Sequence, residues 1–336
     1  MLNHKAFLSV LVAIFIISLI GTAIAFRVTE QVVEEQARAV FSQETAAIQD
    51  LIQRQMNLYI VSLRSMAAFF GLSKEVTKEE WSSYIRELNL LKYYQGVSSF
   101  VFVERVKAKD KNAFIKNYFA IYPDEAKEEY YAVKYVEPLK DREASLGFDM
   151  RSEPKRLKAF ELARDTGEPT ATGLITLATT GKPGFLIILP LYDKDKTLNT
   201  RQERREVLKG FIMAVFREEE IFTTLFGKNG LFTNIDFEVY NGKELNQQNL
   251  LYDYNPKNST LKPIRKAKFS SIKTIPIDGG VWTISITADP EFVIKPSQQR
   301  LPLIVLISGV TLNTLIFLFF LYRLIQHVRY VHGKKQ

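Results

Sequence analysis

The sequence predicts an α+β protein: two stacked α+β units on one long stalk helix, flanked by two transmembrane helices. Three observations predict this. Uncharged apolar runs occupy Phe7–Phe26 and Leu301–Tyr322. The stretch from Arg27 to Phe70 contains neither proline nor glycine and keeps a helical apolar pattern. Beyond it, helical periodicity gives way repeatedly to alternating segments rich in β-branched and aromatic residues.

Each apolar run can cross about 30 Å of hydrocarbon as a helix. Ala23-Ile24-Ala25 resembles a signal cleavage site, but the twenty apolar residues exceed a signal core of roughly 7–15, so an uncleaved anchor is expected. The second run includes Ser308, Thr311, Asn313 and Thr314. Polar side chains at such depth usually face another helix. His4 and Lys5 precede the first run, and Arg323, Arg329, Lys334 and Lys335 follow the second. Glu30, Glu34 and Glu35 lie just beyond the first. The positive-inside rule then places residues 1–6 and 323–336 in the cytoplasm and the middle on the periplasmic or extracellular side of the inner membrane.

The net charge is +8, but Lys5 and four residues of the tail hold five of those charges, leaving about +3 for the exported part. That argues against nucleic acid as a partner. There is no cysteine, so disulfides, thiolate metal sites and cysteine nucleophiles are excluded. The three histidines, His4, His327 and His332, all lie outside the exported part, which excludes a histidine-based catalytic or zinc site there. No phosphate-binding loop or nucleophile elbow occurs, so neither an enzyme nor a cofactor is expected.

The stalk covers 27–70 and could reach roughly 60 Å from the membrane. Its imperfect heptad rows are Phe41, Ile48 and Phe69, and Thr45, Ile52, Tyr59 and Met66. Gly71 should end it. Thr77 and Glu80 form a capping box for a helix reaching about Lys92. Val97–Val106 alternates as a strand, and a helix over Asp110–Phe119 follows. Further strands are expected at 131–136, 174–177, 185–192 and 210–216. A helix over 153–166 should have Ser152 as N-cap, Pro154 in its first turn and Gly167 as its stop. Asp193–Glu206 is expected as a solvated loop, its carboxylates Asp193 and Asp195 included. After a helix over 217–226 come strands at 235–240, 250–254, 268–275 and 281–288, with a tight turn at Asn241-Gly242. The expected division is 71–228 for a membrane-distal unit and 229–300 for a proximal one.

Residues 131–216, about 85 in all, carry Glu137-Pro138, Gly147-Phe148-Asp149, Ala163-Arg164-Asp165-Thr166-Gly167, Gly184-Phe185, Pro190-Leu191-Tyr192 and Gly210-Phe211 in one order. This segment resembles the CHASE domain, an extracellular sensory module of bacterial and plant receptors. The resemblance implies two PAS-like units on a long helix, with a small-molecule pocket in the distal one. Most of these residues also have scaffold explanations: glycines at turns, Asp149 on backbone amides, Pro190 at a strand edge. Where plant cytokinin receptors of the family bind adenine through an aspartate, this chain has Arg156; a threonine and a leucine of that pocket correspond to Ile188 and Ala178. Cytokinin is therefore rejected. An arginine there suits a carboxylate or other anion, although Arg156 beside Lys155 and Lys158 also suits a solvated helix face. The remaining pocket candidates are Phe148, Met150, Leu186, Ile188, Phe211 and Met213.

Together these features predict a homodimeric membrane sensor of a small molecule that signals through its spans to a cytoplasmic kinase or nucleotide cyclase. The output is expected in cis if the chain is a fragment, or in trans if it is a separate input module. A membrane-anchored interaction scaffold without a ligand is the alternative. An enclosed cavity with convergent polar groups would separate the two.

Overall fold

The computed structural model describes residues 4–73, 75–193, 196–226, 234–254, 267–277, 280–288, 292 and 296–333. Asp195, Lys334, Lys335, the side chains of His4, Lys5 and His332, and the expected boundary at 228/229 lie outside the described residues. The chain divides into one compact unit of residues 44–290 and another of 1–43 with 291–336.

Helix α1 (His4–Leu72) contributes to both units. In the larger unit, Thr45, Ile52, Tyr59 and Met66 are all buried. The Tyr59 ring lies 4.8 Å from that of Phe216, and its hydroxyl donates to the Gln95 carbonyl. Burial pushes this phenol up to about 12. The heptad row therefore packs on its own chain.

Thr77 caps α2 (Lys78–Glu87) as expected: its Oγ1 accepts from the Glu80 amide at 3.2 Å, and the Glu80 carboxylate accepts from the Thr77 amide at 2.8 Å. The helix stops short of Lys92. Asn89 turns left-handed, with φ 48°, before the short α3 (Leu90–Tyr93), a conformation that asparagine adopts more readily than most residues.

The next elements are β1 (Val97–Lys107), α4 (Lys111–Asn117), β2 (Glu129–Glu137), α5 (Pro154–Thr166), β3 (Thr170–Ala171), β4 (Ile175–Thr176), β5 (Pro183–Tyr192), α6 (Arg201–Val207) and β6 (Leu208–Arg217). Their strands form a six-stranded antiparallel sheet in the order β2-β1-β6-β5-β3, with β4 beside β5. Pro190 sits where β5 has passed the end of β3, so its missing donor breaks no ladder bond. Alternation loads both sheet faces. On one face, Phe102 meets Phe70 of α1 at 4.5 Å and Phe185 stacks on Phe216 at 4.9 Å. Burying each such ring contributes roughly 1.5–3 kcal/mol. The other face gathers Val101, Val133, Leu186, Ile188, Phe211 and Met213 beneath α5.

Two expectations around α5 change. Its N-cap is Glu153, whose carboxylate accepts from the Lys155 and Arg156 amides at 3.0 and 2.9 Å. Ser152 instead ends a tight turn, Met150–Ser152, capped by Asp149. Pro154 opens α5 as expected, and Gly167 closes it at φ 81°, where a side chain would be strained. The polar stretch 193–206 is also more than a solvated loop. Thr200 and Glu203 form a capping box for α6. Arg204 Nε donates to the Asp165 carbonyl at 2.7 Å, and Arg205 pairs with the Asp165 carboxylate.

Helix α7 (Glu218–Phe226) precedes a four-stranded antiparallel sheet of β7 (Ile235–Asn241), β8 (Leu250–Tyr254), β9 (Ser270–Ile277) and β10 (Gly280–Ala288), ordered β8-β7-β10-β9. Phe222 stacks on Tyr252 at 3.8 Å, and Phe226 meets Phe237 edge-on at 4.8 Å. Buried Trp282 of β10 reaches Phe185 of the first sheet at 5.5 Å.

The second unit holds the start of α1, α8 (Pro296–Gln299) and α9 (Leu301–Gly333). Both long helices contain windows of high mean hydropathy, 2.7 and 2.4, and are long enough to cross a membrane. Ile14, Ile17, Leu312 and Phe319 are each more than half exposed, an apolar surface that suits lipid. Asn313 Nδ2 donates to Ser18 O at 3.2 Å and to Thr22 Oγ1 at 2.9 Å. One turn earlier, Gly309 makes room: a Cβ there would lie 2.5 Å from Thr22 Cγ2. The expectation that polar residues of the second span face another helix thus holds for Asn313. Ser308 and Thr314 instead donate to carbonyls of their own helix, Ile304 and Val310. Asn313→Leu should weaken this pairing by about 1 kcal/mol. Phe15 and Phe317 touch at 4.7 Å, so Phe15→Cys with Phe317→Cys gives a disulfide-trapping assay in a chain without native cysteine. An unchanged trapping yield in the leucine variant would refute the Asn313 clasp.

Candidate functional site

Five of the seven pocket candidates come together on one cavity. Its floor is the sheet face that bears Val101, Val133, Leu186 and Met213; Phe148, Met150 and Arg156 wall it, with Ala178 and Thr179 near its mouth. Ile188 and Phe211 belong to the same buried cluster but do not line the cavity. Phe211 packs between Tyr131 and Phe160, at 4.9 and 4.7 Å, further along the sheet. The wall also includes residues the sequence did not nominate: Arg142, Ser99, Ser145, Ile175 and Leu177.

Backbone bonds set the Phe148 wall. The segment after the turn at 145 runs beside β2, with Gly147 N donating to Val133 O at 2.8 Å and Val133 N to Phe148 O at 3.0 Å. Asp149, fully buried, then locks it. Its Oδ1 accepts from the Tyr131 and Arg151 amides at 2.9 and 3.1 Å, and its Oδ2 from Lys127 Nζ at 2.8 Å. Asp149 is thus committed to holding backbone and faces no ligand. The hairpin from β4 to β5 covers the opposite side. Leu177 N bonds Lys182 O at 2.9 Å, and Gly181 N bonds Leu177 O at 2.8 Å.

Arg156 is the buried charge of the cavity wall. Only 5 % of its surface is exposed. Nη2 donates to the Thr176 carbonyl at 2.7 Å, and the guanidinium lies 5.2 Å over the Phe148 ring. No carboxylate pairs with it among the described residues. The Glu153 carboxylate caps the helix and offsets its charge only in part. Burial pulls the guanidinium below the ordinary arginine value, and Glu153 counters this. Arg142, on the same wall, also has no carboxylate partner among the described residues; its Nη2 donates to Ser98 O at 2.9 Å and its Nη1 to Lys140 O at 3.0 Å. Burial and then the nearby charge of Arg217 depress it. No aspartate or glutamate lines the cavity.

The cavity measures about 50 Å³, little more than one or two waters, whereas ligand pockets span roughly 300–1,000 Å³. The Thr176–Lys182 hairpin and Phe148 must therefore move for anything larger to enter. A larger recess lies elsewhere, an open groove of about 820 Å³ beside the end of α1. Its buried lysine is paired, Lys134 with Glu104 at 2.7 Å, Lys209 pairs with Asp193 at 3.4 Å, and Lys107, Lys109 and Asp110 are exposed to solvent. It lacks the unpaired buried group that marks the smaller cavity.

A family model described as the CHASE domain matches residues 74–252, more than half of the chain. No curated protein matches it. Among solved structures, an extracellular ligand-binding receptor from Desulfohalobium retbaense is 14% identical over 75% of this chain, with a TM-score of 0.46. This chain spans 40% of that receptor's length. The ligand-binding domain of the Pseudomonas fluorescens chemoreceptor CtaA, in complex with L-leucine, is 13% identical over 77% of this chain and 97% of that one, with a TM-score of 0.45. The ligand-binding domain of the Pseudomonas aeruginosa amino acid chemoreceptor PctC, in complex with GABA, is 15% identical over 72% and 94%, with a TM-score of 0.39.

Proposed function

The chain belongs to the CHASE-domain family, and from that premise we propose that it is the input module of a membrane receptor. It binds a small molecule outside the cytoplasm in the cavity under α5 and passes a conformational change through α1 and α9 to a cytoplasmic kinase or cyclase. Both termini are cytoplasmic in this proposal, by the positive-inside rule. The two sheets are two stacked PAS-like units, the first carrying the ligand. The unpaired, buried guanidinium of Arg156 carries the proposal. A buried charge without a partner is expensive unless something supplies one, and a bound anion would. Binding then selects between two arrangements of the hairpin and of the helices that frame it. A parallel homodimer suits such transmission: with its heptad row buried, α1 still exposes Leu58, Val61 and Leu72 at 50%, 58% and 83%.

The test is a thermal-shift screen of the full chain in nanodiscs against small metabolites. A ligand at about one hundred times its Kd should stabilise the chain by about 2.7 kcal/mol, a rise of roughly 5–10 °C. Ala178→Trp, at the cavity mouth, should abolish that rise, and so should Arg156→Ala. A broad screen without a stabilising molecule would overturn the sensor proposal in favour of a scaffold.

A further inference from the structure

The cavity's chemistry is lopsided in a way that restricts its ligand. It holds two cationic side chains, Arg142 and Arg156, and three neutral hydroxyls, Ser99, Ser145 and Thr179. Everything else on its wall is apolar, including Val101, Val133, Ile175, Leu177, Leu186 and Met213. Carboxylates are absent from it altogether.

The two arginines differ in what they have left to offer. Arg142 spends its Nη1 and Nη2 groups on main-chain carbonyls and Ser98. Among the described residues Arg156 makes one side-chain hydrogen bond, from Nη2 to Thr176 O, which leaves its Nε edge and Nη1 without partners there. A guanidinium presents its donors as a planar fork that matches a carboxylate. The carbonyl of Thr176 is a neutral, single-point substitute for such a group, supplied by the hairpin that covers the cavity.

We propose that this site takes a short carboxylate with an apolar body and no ammonium group, whose carboxylate displaces the Thr176 carbonyl from Arg156. The apolar body then occupies the space opened beneath the hairpin, against Leu186, Met213 and Leu177. An α-amino acid has the same carboxylate but brings an ammonium, which would be buried beside two guanidiniums with no acceptor carboxylate on the wall. Uncharged molecules of the same shape leave Arg156 as it stands. The proposal rests on the sensor function above and narrows it to one ligand class. It also makes the Arg156–Thr176 bond the latch that ligand exchange opens.

Calorimetric titration of the full chain in nanodiscs at pH 7 tests this with matched probes. Isocaproate is compared with L-leucine, which adds only the ammonium, and with isocaproamide, which removes only the charge. Hydrocinnamate and L-phenylalanine form a second pair of larger size. At least one acid should bind, with its amino acid about 100-fold weaker. The amide should be weaker by about tenfold or more. Arg156→Gln should lose about tenfold or more in acid affinity, with partial recovery in Arg156→Lys. Ala178→Trp keeps Arg156 but fills the cavity, and should abolish binding. If an amino acid or the amide binds as well as its acid, or if neither acid binds, the ligand class is wrong. In that case a ligand from the wider screen that is still lost in Ala178→Trp leaves the sensor site standing. Binding that survives both Arg156→Gln and Ala178→Trp removes the site itself.

Discussion

Asp149→Ala is expected to destabilise the 44–290 unit by about 4 kcal/mol, lowering its melting temperature by about 10 °C. The carboxylate is fully buried and accepts from the Tyr131 amide, the Arg151 amide and Lys127 Nζ. Alanine leaves the Tyr131 N–H on a buried strand without an acceptor, and that group's desolvation is then uncompensated. It also removes the negative partner of Lys127, whose side chain is only 21% exposed and keeps Glu125 at 3.1 Å. Asp149→Asn keeps an acceptor oxygen but loses the charge and aims an amide group at donors, so it should cost about half as much. The effect reaches the cavity because Asp149 caps the Met150–Ser152 turn and follows Phe148 directly. Ligand affinity should therefore fall along with stability. Far-UV circular dichroism melts of the full chain in nanodiscs measure the shift; a fall of less than about 2 °C would show that Asp149 does not anchor this segment.

How much of this was legible in the sequence follows from what each signal encodes. The two spans and eight of the ten strands repeat an apolar pattern over enough residues to be read directly; β3 went unread, and β4, expected over 174–177, is a mere two residues. The Thr77 and Gly167 caps carry local side-chain or backbone chemistry, and both sit where expected. Ser152 was misplaced because two cap-forming residues lie close together. Asp149 takes the first turn and Glu153 the helix, leaving Ser152 between them. The charge of 193–206 masked α6, although Thr200 and Glu203 stand at capping-box spacing within it. The heptad row of α1 was real as periodicity, but periodicity names a buried face without naming what buries it.

The site divides the same way. Strand alternation puts Leu186, Ile188, Phe211 and Met213 on one face, and all four are there. It says nothing of position along the strand, which separates Leu186 and Met213 on the cavity from Ile188 and Phe211 beyond it. Arg142 and Ser99 were invisible because they meet the cavity only through the path of the chain after β2 and the pairing of β1. Arg156 was visible as a cation near the pocket, but sequence could not tell a solvated arginine from a buried one. That difference is tertiary: Phe148 and the Thr176 carbonyl close over the guanidinium.

Asp165→Asn is expected to destabilise the same unit by about 3 kcal/mol and to detach α6. The Asp165 side chain is 14% exposed and receives Arg164 Nε at 2.7 Å together with Arg205. Arg164 is itself buried, with Tyr131 Oη at 3.3 Å as a weak second partner and Glu161 at 3.8 Å. Asparagine keeps an acceptor oxygen but removes the near negative partner of a buried guanidinium, whereas Arg205→Gln removes an exposed one and should do far less. The donors from Arg205, and then Arg164, hold the Asp165 carboxyl well below the usual carboxylate range despite its burial. Its folded value is thus depressed, so its contribution is fully present above the unfolded value of about 3.9 and is lost as pH falls below that toward the folded value. Acid unfolding of the native chain should include this loss below about pH 4, and Asp165→Asn should lack it while starting from a lower plateau. Near neutral pH, freed α6 should expose Arg201, Arg204 and Arg205 to trypsin, giving early cleavage between 201 and 206. Equal cleavage rates in native and Asp165→Asn chains, with parallel acid transitions, would show that α6 is held by something other than this ion pair.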